Sequence, residues 1–332
     1  MKILFIGGTG NISTSVSQAC IGRGIELHLL TRGMRRTTIP GARTIYGDIN
    51  KPGEIKPLFA GGRWDAVVDW VAFTKDDIER DIRLFRGRTD QFVFISSASV
   101  YQKPPLYPVI SESTPLYNPF WEYSRNKIAC EERLNHAYRE DAFPITIVRP
   151  SLTYDTVIPL AIGGWTEYTA IDRMKKGKQL IVHGDGTSLW TVTHADDFAK
   201  GFVGLLGHPQ AIGEAYHITS DEILTWNQIY QSVAKAAGCE PRLVHISSDF
   251  IASCEGSLTG SLLGDKSYSV IFDNSKIKRI VPEFKATIPF HEGIRRTLAW
   301  FEADPARQTV KQETNEMMER ILQAYPGRKE QD

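Results

Sequence analysis

Short apolar runs alternate with amphipathic stretches through the first 150 residues. Runs at 2–6, 25–30, 44–46, 66–70, 91–96 and 145–149 have the length and β-branched or aromatic content of buried strands. Between them, 75–86 carries Ile78, Ile82 and Phe85 on one stripe at helical spacing, and 121–138 reads as a second long helix. Strand-then-helix units in series predict a parallel sheet covered by helices on both faces. With right-handed crossovers the expected class is α/β, a doubly wound Rossmann sheet.

After Pro150 the rhythm loosens. A loop at 153–164 leads to a predicted helix at 165–175, a strand at 179–183 and a turn at Gly184-Asp185-Gly186. A helix at 196–206, a strand at 214–218 and a helix at 226–237 follow. These elements predict a smaller C-terminal α/β lobe, so the chain divides into 1–150 and 151–330, the second partly interleaved with the first. From about Val310, Met317, Met318, Ile321 and Leu322 at helical spacing predict a surface helix, with a frayed tail at 327–332.

Composition narrows the function classes. Lys plus Arg number 39 and Asp plus Glu number 39, so net charge is zero and nothing favours nucleic acid or an anionic membrane as a partner. Cys20, Cys130, Cys239 and Cys254 form no C-x-x-C pair and no zinc spacing, and are expected to be reduced thiols with no metal. No apolar run reaches about 18 residues, and Met1 leads straight into a strand. A soluble cytoplasmic protein is expected.

The first strand ends in Gly7-Gly8-Thr9-Gly10-Asn11-Ile12-Ser13 and opens a helix, the context of a dinucleotide-binding turn. Gly7 would make the tight turn, and Gly10 would let a pyrophosphate approach the backbone at the helix N-terminus. Thr9, Asn11 and Ile12 complete the phosphate-facing segment, and small Ser13 stands at the third glycine position. The second strand ends in Leu30-Thr31-Arg32-Gly33 with Arg35 and Arg36 beyond, and has no acid to bind a ribose 2′-hydroxyl. Arginine attracts a 2′-phosphate, so NADP is expected over the alternative NAD, with Arg32 as main contact and Arg35 or Arg36 in support. Asp48 and Ile49 close the third strand, where Asp48 either meets the adenine amino group or caps the next helix.

Tyr123 and Lys127 are spaced i, i+4 and share one helix face, so a cation and a phenol reach one cleft. A cation there favours the phenolate and suits Tyr123 to proton transfer. The strand at 91–96 runs into Ser96-Ser97-Ala98-Ser99-Val100-Tyr101. With these pieces, Arg149-Pro150, Gly184-Asp185-Gly186, Asp196-Asp197 and Phe272-Asp273-Asn274-Ser275-Lys276, the chain resembles the extended short-chain dehydrogenase/reductase family over about residues 1–303, and within it the nucleotide-sugar epimerase/dehydratase group.

The resemblance implies that Ser97 hydrogen-bonds the reacting oxygen, that Tyr123 is general acid or base, and that Lys127 binds the nicotinamide ribose and lowers the Tyr123 pKa. It implies an NAD(P)-dependent epimerase or oxidoreductase acting on a sugar-like, small-molecule alcohol. Residues 1–150 would hold the cofactor and 151–330 the substrate. It also implies a homodimer paired through the helices near 75–86 and 121–138. The departures narrow this. Ala98 and Ser99 replace the Asp-Glu pair of dehydratases, which argues against water elimination. Trp190 stands where an arginine would bind a diphosphate, and either stacks on substrate or fills the core. Asp69-Trp70-Val71-Ala72 replaces H-L-A-A at the end of strand four, with Asp69 expected to bond backbone N–H groups. Asp196 is expected to cap the helix that starts there, and His194 to be structural. A non-catalytic nucleotide- or RNA-binding protein of the same fold is the alternative.

Overall fold

The computed structural model describes residues 1–34, 37–55 and 62–326. Seven strands form the central sheet: β1 (Lys2–Ile6), β2 (Glu26–Thr31), β3 (Arg43–Tyr46), β4 (Ala66–Asp69), β5 (Phe92–Ile95), β6 (Ile145–Pro150) and β7 (Glu214–Ile218). Their order is β7-β6-β5-β4-β1-β2-β3, and every neighbouring pair is parallel. The order reverses between β1 and β4, so the crevice beyond their carboxyl ends is the place for a ligand.

Strand alternation explains why both faces are covered. Ile3 and Phe5 of β1 pack with Val16 of α1 (Ser13–Gly22) on one face. Leu4 and Ile6 pack on the other with Ile78 and Ile82 of α2 (Lys75–Phe85) and Leu134 of α3 (Glu122–Asp141). α2 begins in a capping box, with Thr74 accepting from the Asp77 N–H and Asp77 accepting from the Thr74 N–H. Beyond Pro150 the chain still serves this sheet: β7 is its outer strand, and α4 (Ala195–Leu205) packs beside α1 through Phe198 and Phe202.

A second core forms around Trp226, Tyr230, Ile294, Leu298 and Phe301. Strand Gln179–His183 pairs there in parallel with Arg242–Ile246, and Leu152–Tyr154 pairs with Val192–His194. Helix Gln312–Ala324 is the surface helix expected: it buries Met318, Ile321 and Leu322 against this core and leaves Gln312, Glu313, Glu316, Arg320 and Gln323 exposed; the tail at 327–332 lies outside the described residues.

Two local expectations change, and of the two readings of Trp190 the core-filling one holds. The helix expected from residue 165 runs only over Thr169–Lys175. Gly163-Gly164 turns the chain, and Trp165 sits at φ +67° in a two-hydrogen-bond bridge with Ile158 instead. Asp196 is not the cap of α4: its N–H donates to His194 Nδ1 at 3.2 Å, while buried Asp197 accepts from the N–H groups of Thr287 and Ile288. Trp190 is buried in the second core, its ring 5.6 Å from that of Trp226. The four cysteines are free thiols. Among the described residues no helix is long and apolar enough to cross a membrane, and no cluster of His, Cys, Asp and Glu could hold a metal.

Candidate active site

A cleft of about 590 Å³ opens at the reversal of strand order, lined by residues 6–13, Thr31, Arg32, Asp48, Ile49, Trp70, Val71, Phe73, Tyr123, Lys127 and Trp165. Gly7, Thr9, Gly10, Asn11, Ile12, Arg32, Asp48, Ile49, Tyr123 and Lys127, named from sequence, all line it. Ser97 is not among the lining residues, but its hydroxyl acts on the Tyr123 phenol that is.

The glycine turn is shaped by what a side chain would strike. Gly8 has φ +108°, and a Cβ there would stand 2.7 Å from Leu29 Cδ2. Its carbonyl accepts from the Ser17 hydroxyl at 2.9 Å, and the Gly10 N–H donates to Ser13 Oγ at 2.8 Å. Asn11 turns its amide away from the cleft: Nδ2 donates to the Thr153 carbonyl at 2.9 Å and Oδ1 accepts from the Thr156 N–H at 3.2 Å. Its side chain therefore ties the turn to the chain beyond Pro150 and leaves its backbone for a ligand. Arg32 is exposed at the cleft edge with no side-chain partner among the described residues; Arg35 and Arg36 lie outside them. Asp48 Oδ1 accepts from the Asn50 N–H at 3.0 Å, so it makes a local turn rather than a helix cap.

At the other end, Lys127 is buried and donates to the carbonyl oxygens of Ala72 at 2.7 Å and Ile95 at 2.8 Å. An ammonium has three N–H groups, so one remains for a ligand. Phe73, absent from the sequence reading, lies 4.5 Å below it. Burial pulls Lys127 down to about 8. Burial also pushes the Tyr123 phenol up, against the pull of its hydrogen bond with Ser97. The cation thus does not leave Tyr123 with a lowered pKa, as the i, i+4 pair suggests: Lys127 addresses two carbonyls and the Phe73 ring, and desolvation of the phenol dominates.

Hydroxyls behind Ser97 form a directed chain. Ser124 donates to Ser99 Oγ at 2.7 Å, and Ser99 Oγ is 2.9 Å from Ser97 Oγ. The Ser99 N–H also donates to Ser97 Oγ, at 3.2 Å. Each hydroxyl has one proton, so the arrangement using all of them runs Ser124 to Ser99 to Ser97, leaving the Ser97 proton to donate forward. Asn118 braces this loop, donating to the carbonyls of Ser99 at 2.8 Å and Gly264 at 2.6 Å. Asn118, Ser124 and Trp165 carry no motif, and local sequence gave no signal for them.

Charges beneath the cleft are structural. Asp69 is buried, with Oδ1 accepting from Val71 and Ala72 N–H groups, as expected, and Arg80 3.4 Å from Oδ2. Arg149 pairs with buried Glu131 at 2.6 Å. His194 Nδ1 accepts a backbone hydrogen bond, and burial lowers its pKa, so the neutral ring is a structural cap.

A doubly wound sheet with a glycine turn at its switch point and a Ser-Tyr-Lys group across the cleft defines a nucleotide-dependent oxidoreductase or isomerase fold. Residues 3–219 match the NAD dependent epimerase/dehydratase family, and the chain belongs to that family. It is an enzyme of this nicotinamide-dependent kind, whose relatives include reductases, epimerases and dehydratases. It is 26% identical over 292 residues to 2′-dehydrokanamycin reductase of Streptomyces kanamyceticus, covering 86% of this chain and 80% of that one. It is 24% identical over 259 residues to chloroplast stem-loop binding protein of 41 kDa b from Arabidopsis thaliana, covering 74% of this chain and 65% of that one. The structure of UDP-glucose 4-epimerase from Bifidobacterium longum in complex with NAD+ and UDP superposes with a TM-score of 0.74 at 18% identity, covering 92% of this chain and 99% of that one, and shares the fold.

The cleft fits a nicotinamide dinucleotide. Its volume of about 590 Å³ lies within the usual range for a ligand pocket. Lys127, which lines it, keeps one N–H unused.

Proposed function

We propose that the protein is an NADP-dependent oxidoreductase that interconverts a ketone and a secondary alcohol on a sugar-like substrate, with Ser97, Tyr123 and Lys127 as the reacting-end residues. The observation that carries this reading is the Tyr123 phenol, on which the Ser97 hydroxyl acts, with its ring 5.9 Å from the buried Lys127 ammonium. The cofactor, when bound, supplies or accepts the hydride. Ser97 donates its forward proton to the substrate oxygen. Tyr123, its phenol pushed up by burial, is protonated at neutral pH and gives its proton to that oxygen during reduction. Lys127 offers its third N–H to a ribose hydroxyl. Arg32 holds the 2′-phosphate, and the backbone N–H groups of Asn11 and Ile12 face the pyrophosphate.

Reduction is favoured over epimerisation because the relative covering 86% of this chain is named a reductase. The test is to purify the protein without added nucleotide, denature it and identify any nicotinamide released. An empty protein that binds NADPH reversibly and oxidises it with a keto sugar supports the reductase. Near-stoichiometric retained cofactor supports an internal-redox epimerase, and failure to bind either nucleotide overturns both.

A further inference from the structure

One backbone amide at the reaction end of the cleft lies between two opposite charges. The Ala72 carbonyl and the Phe73 N–H belong to the same peptide group and point to opposite sides of it. The carbonyl accepts from the Lys127 ammonium at 2.7 Å, and the N–H donates to Asp77 Oδ2 at 2.9 Å. Each end of the amide dipole thus meets the charge that favours it. The other acceptor of Lys127, the Ile95 carbonyl, has a neutral backing: the N–H of its amide, that of Ser96, donates to the Val148 carbonyl at 2.7 Å.

Asp77 is oriented for this contact. Arg80, which lines the cleft, donates to Asp77 Oδ1 at 2.9 Å, so Oδ2 is left to the amide. Oδ2 also accepts from the N–H and the hydroxyl of Thr74, each at 2.9 Å. Against the upward push of burial, the hydrogen bonds from Phe73 and Thr74 hold the Asp77 carboxyl below its usual pKa, so it is ionised at neutral pH.

Other titratable groups face Lys127 from each element packed around it: Asp69 from β4, Arg80 from α2, and Tyr123, Cys130 and Glu131 from its own α3. Burial lowers the Lys127 pKa, and Asp69, Glu131 and Asp77 oppose it. Cys130 is pushed up to about 12 by burial and is neutral. Glu131 is paired with Arg149, and Asp69 faces Arg80 and bonds the Ala72 N–H, one amide earlier. Among the described residues, Asp77 is the acid that meets the amide Lys127 itself bonds. The charge state decides what Lys127 can do. An ammonium has three N–H groups and a neutral amine has two. The Ala72 and Ile95 carbonyls take two, so only the charged form has one left for a ligand.

We propose that Asp77 is a positioning residue whose carboxylate holds Lys127 in its three-donor form through the amide between Ala72 and Phe73, and so keeps one N–H free for the nicotinamide ribose. The proposal rests on Lys127 binding that ribose. As the cap of α2 alone, Asp77 needs only an acceptor oxygen. As the holder of a cation it needs its charge.

Asp77→Asn separates the two roles, because the side-chain amide oxygen still accepts from Phe73 and Thr74 while the charge is gone. Asp76→Asn is the control: it removes an exposed acid from the first turn of the same helix. The state of Lys127 is read by urea unfolding of each protein beside its own Lys127→Met version over a range of pH. A lower folded pKa widens the window in which the unfolded chain binds more protons, so the relative gain in stability with rising pH starts earlier. In the wild-type pair that gain starts at about pH 8. In the Asp77→Asn pair it is expected to start about one pH unit lower, the order of one charge acting across one peptide group, and in the Asp76→Asn pair to stay in place. An unmoved window in the Asp77→Asn pair, or an equal shift in both pairs, overturns the proposal. Fluorescence titration with NADPH over the same range reads the ribose contact: affinity should fall as Lys127 loses its proton, and should begin to fall about one pH unit lower in Asp77→Asn than in the wild type. If the stability window moves but wild-type NADPH affinity does not fall with pH, the ribose contact fails while the hold of Asp77 on the ammonium stands.

Discussion

Lys127 donates to the carbonyl oxygen of Ala72 at 2.7 Å, and the Ala72 N–H in turn donates to buried Asp69 at 2.8 Å. The ammonium is therefore fixed by neutral dipoles, and burial brings its pKa from 10.5 to about 8. The unfolded chain then binds more protons than the native one between about pH 8 and 10.5. The destabilisation is fully present below pH 8 and is relieved as pH rises across that window. Relative to Lys127→Met, wild-type stability should rise by up to about 3 kcal/mol across it. Urea unfolding of both proteins at several pH values checks this, and a falling difference would mean that the cation is net stabilised in the fold.

Tyr123→Phe removes the phenol hydroxyl from the cleft and leaves the ring against Trp121 and Phe73. Turnover should fall by about 10²- to 10⁴-fold, the usual worth of a positioned acid or base. NADPH affinity, followed by fluorescence titration, should stay the same. Retained turnover would remove Tyr123 from the chemistry.

Arg32→Ala tests cofactor choice. Arg32 is exposed at the cleft edge and makes no side-chain contact among the described residues, so its loss should leave the fold intact. A charge-assisted bond to a 2′-phosphate is worth about 1.5–3 kcal/mol, which predicts a loss of about tenfold or more for NADPH and little change for NADH. Equal losses for both nucleotides would undercut the phosphate contact.

Ser99→Ala breaks the hydroxyl chain in its middle. Ser97 then keeps the residue-99 N–H donor but loses the hydroxyl 2.9 Å away, and its proton is no longer held forward. A fall in kcat of about tenfold is expected, the size of one net hydrogen bond, with unchanged cofactor affinity. Ser124→Ala should act in the same direction, and the double variant should be less than additive because both changes break one chain. Additive effects would mean that the two serines act separately.

The parts that were legible in the sequence are local in origin. Strand and helix positions through residue 150 fell within a few residues of observation, because burial on both faces of a parallel strand and a one-sided helix stripe write themselves into consecutive residues. The glycine turn and the Tyr123–Lys127 face were legible for the same reason. What escaped depends on distant partners. His194 caps α4 because its ring reaches its own helix start after a buried strand, where a propensity rule chooses Asp196. Trp165 needs Ile158 to hold its backbone, and Trp190 needs Trp226 to bury it. Lys103 reads as a loop lysine until Trp190 and Asp265 are brought to it from 87 and 162 residues further along.

Gly8→Ala asks whether the glycine turn is set by backbone or by space. Gly8 has φ +108°, which an L side chain rarely adopts, and its added Cβ would stand 2.7 Å from Leu29 Cδ2 and 3.3 Å from Ser17 Oγ. Leu29 belongs to buried β2, and the Ser17 hydroxyl already bonds the Gly8 carbonyl, so neither can move away freely. Gly24 is the control: it has φ +72° with nothing within 4 Å of an added Cβ. Gly24→Ala should cost about 1–2 kcal/mol, the backbone penalty alone. Gly8→Ala should cost about 2–5 kcal/mol, because overpacking adds to that penalty, and should weaken NADPH binding as the turn shifts. Denaturant midpoints of the two variants separate the contributions; equal losses would mean that backbone conformation alone demands glycine at position 8.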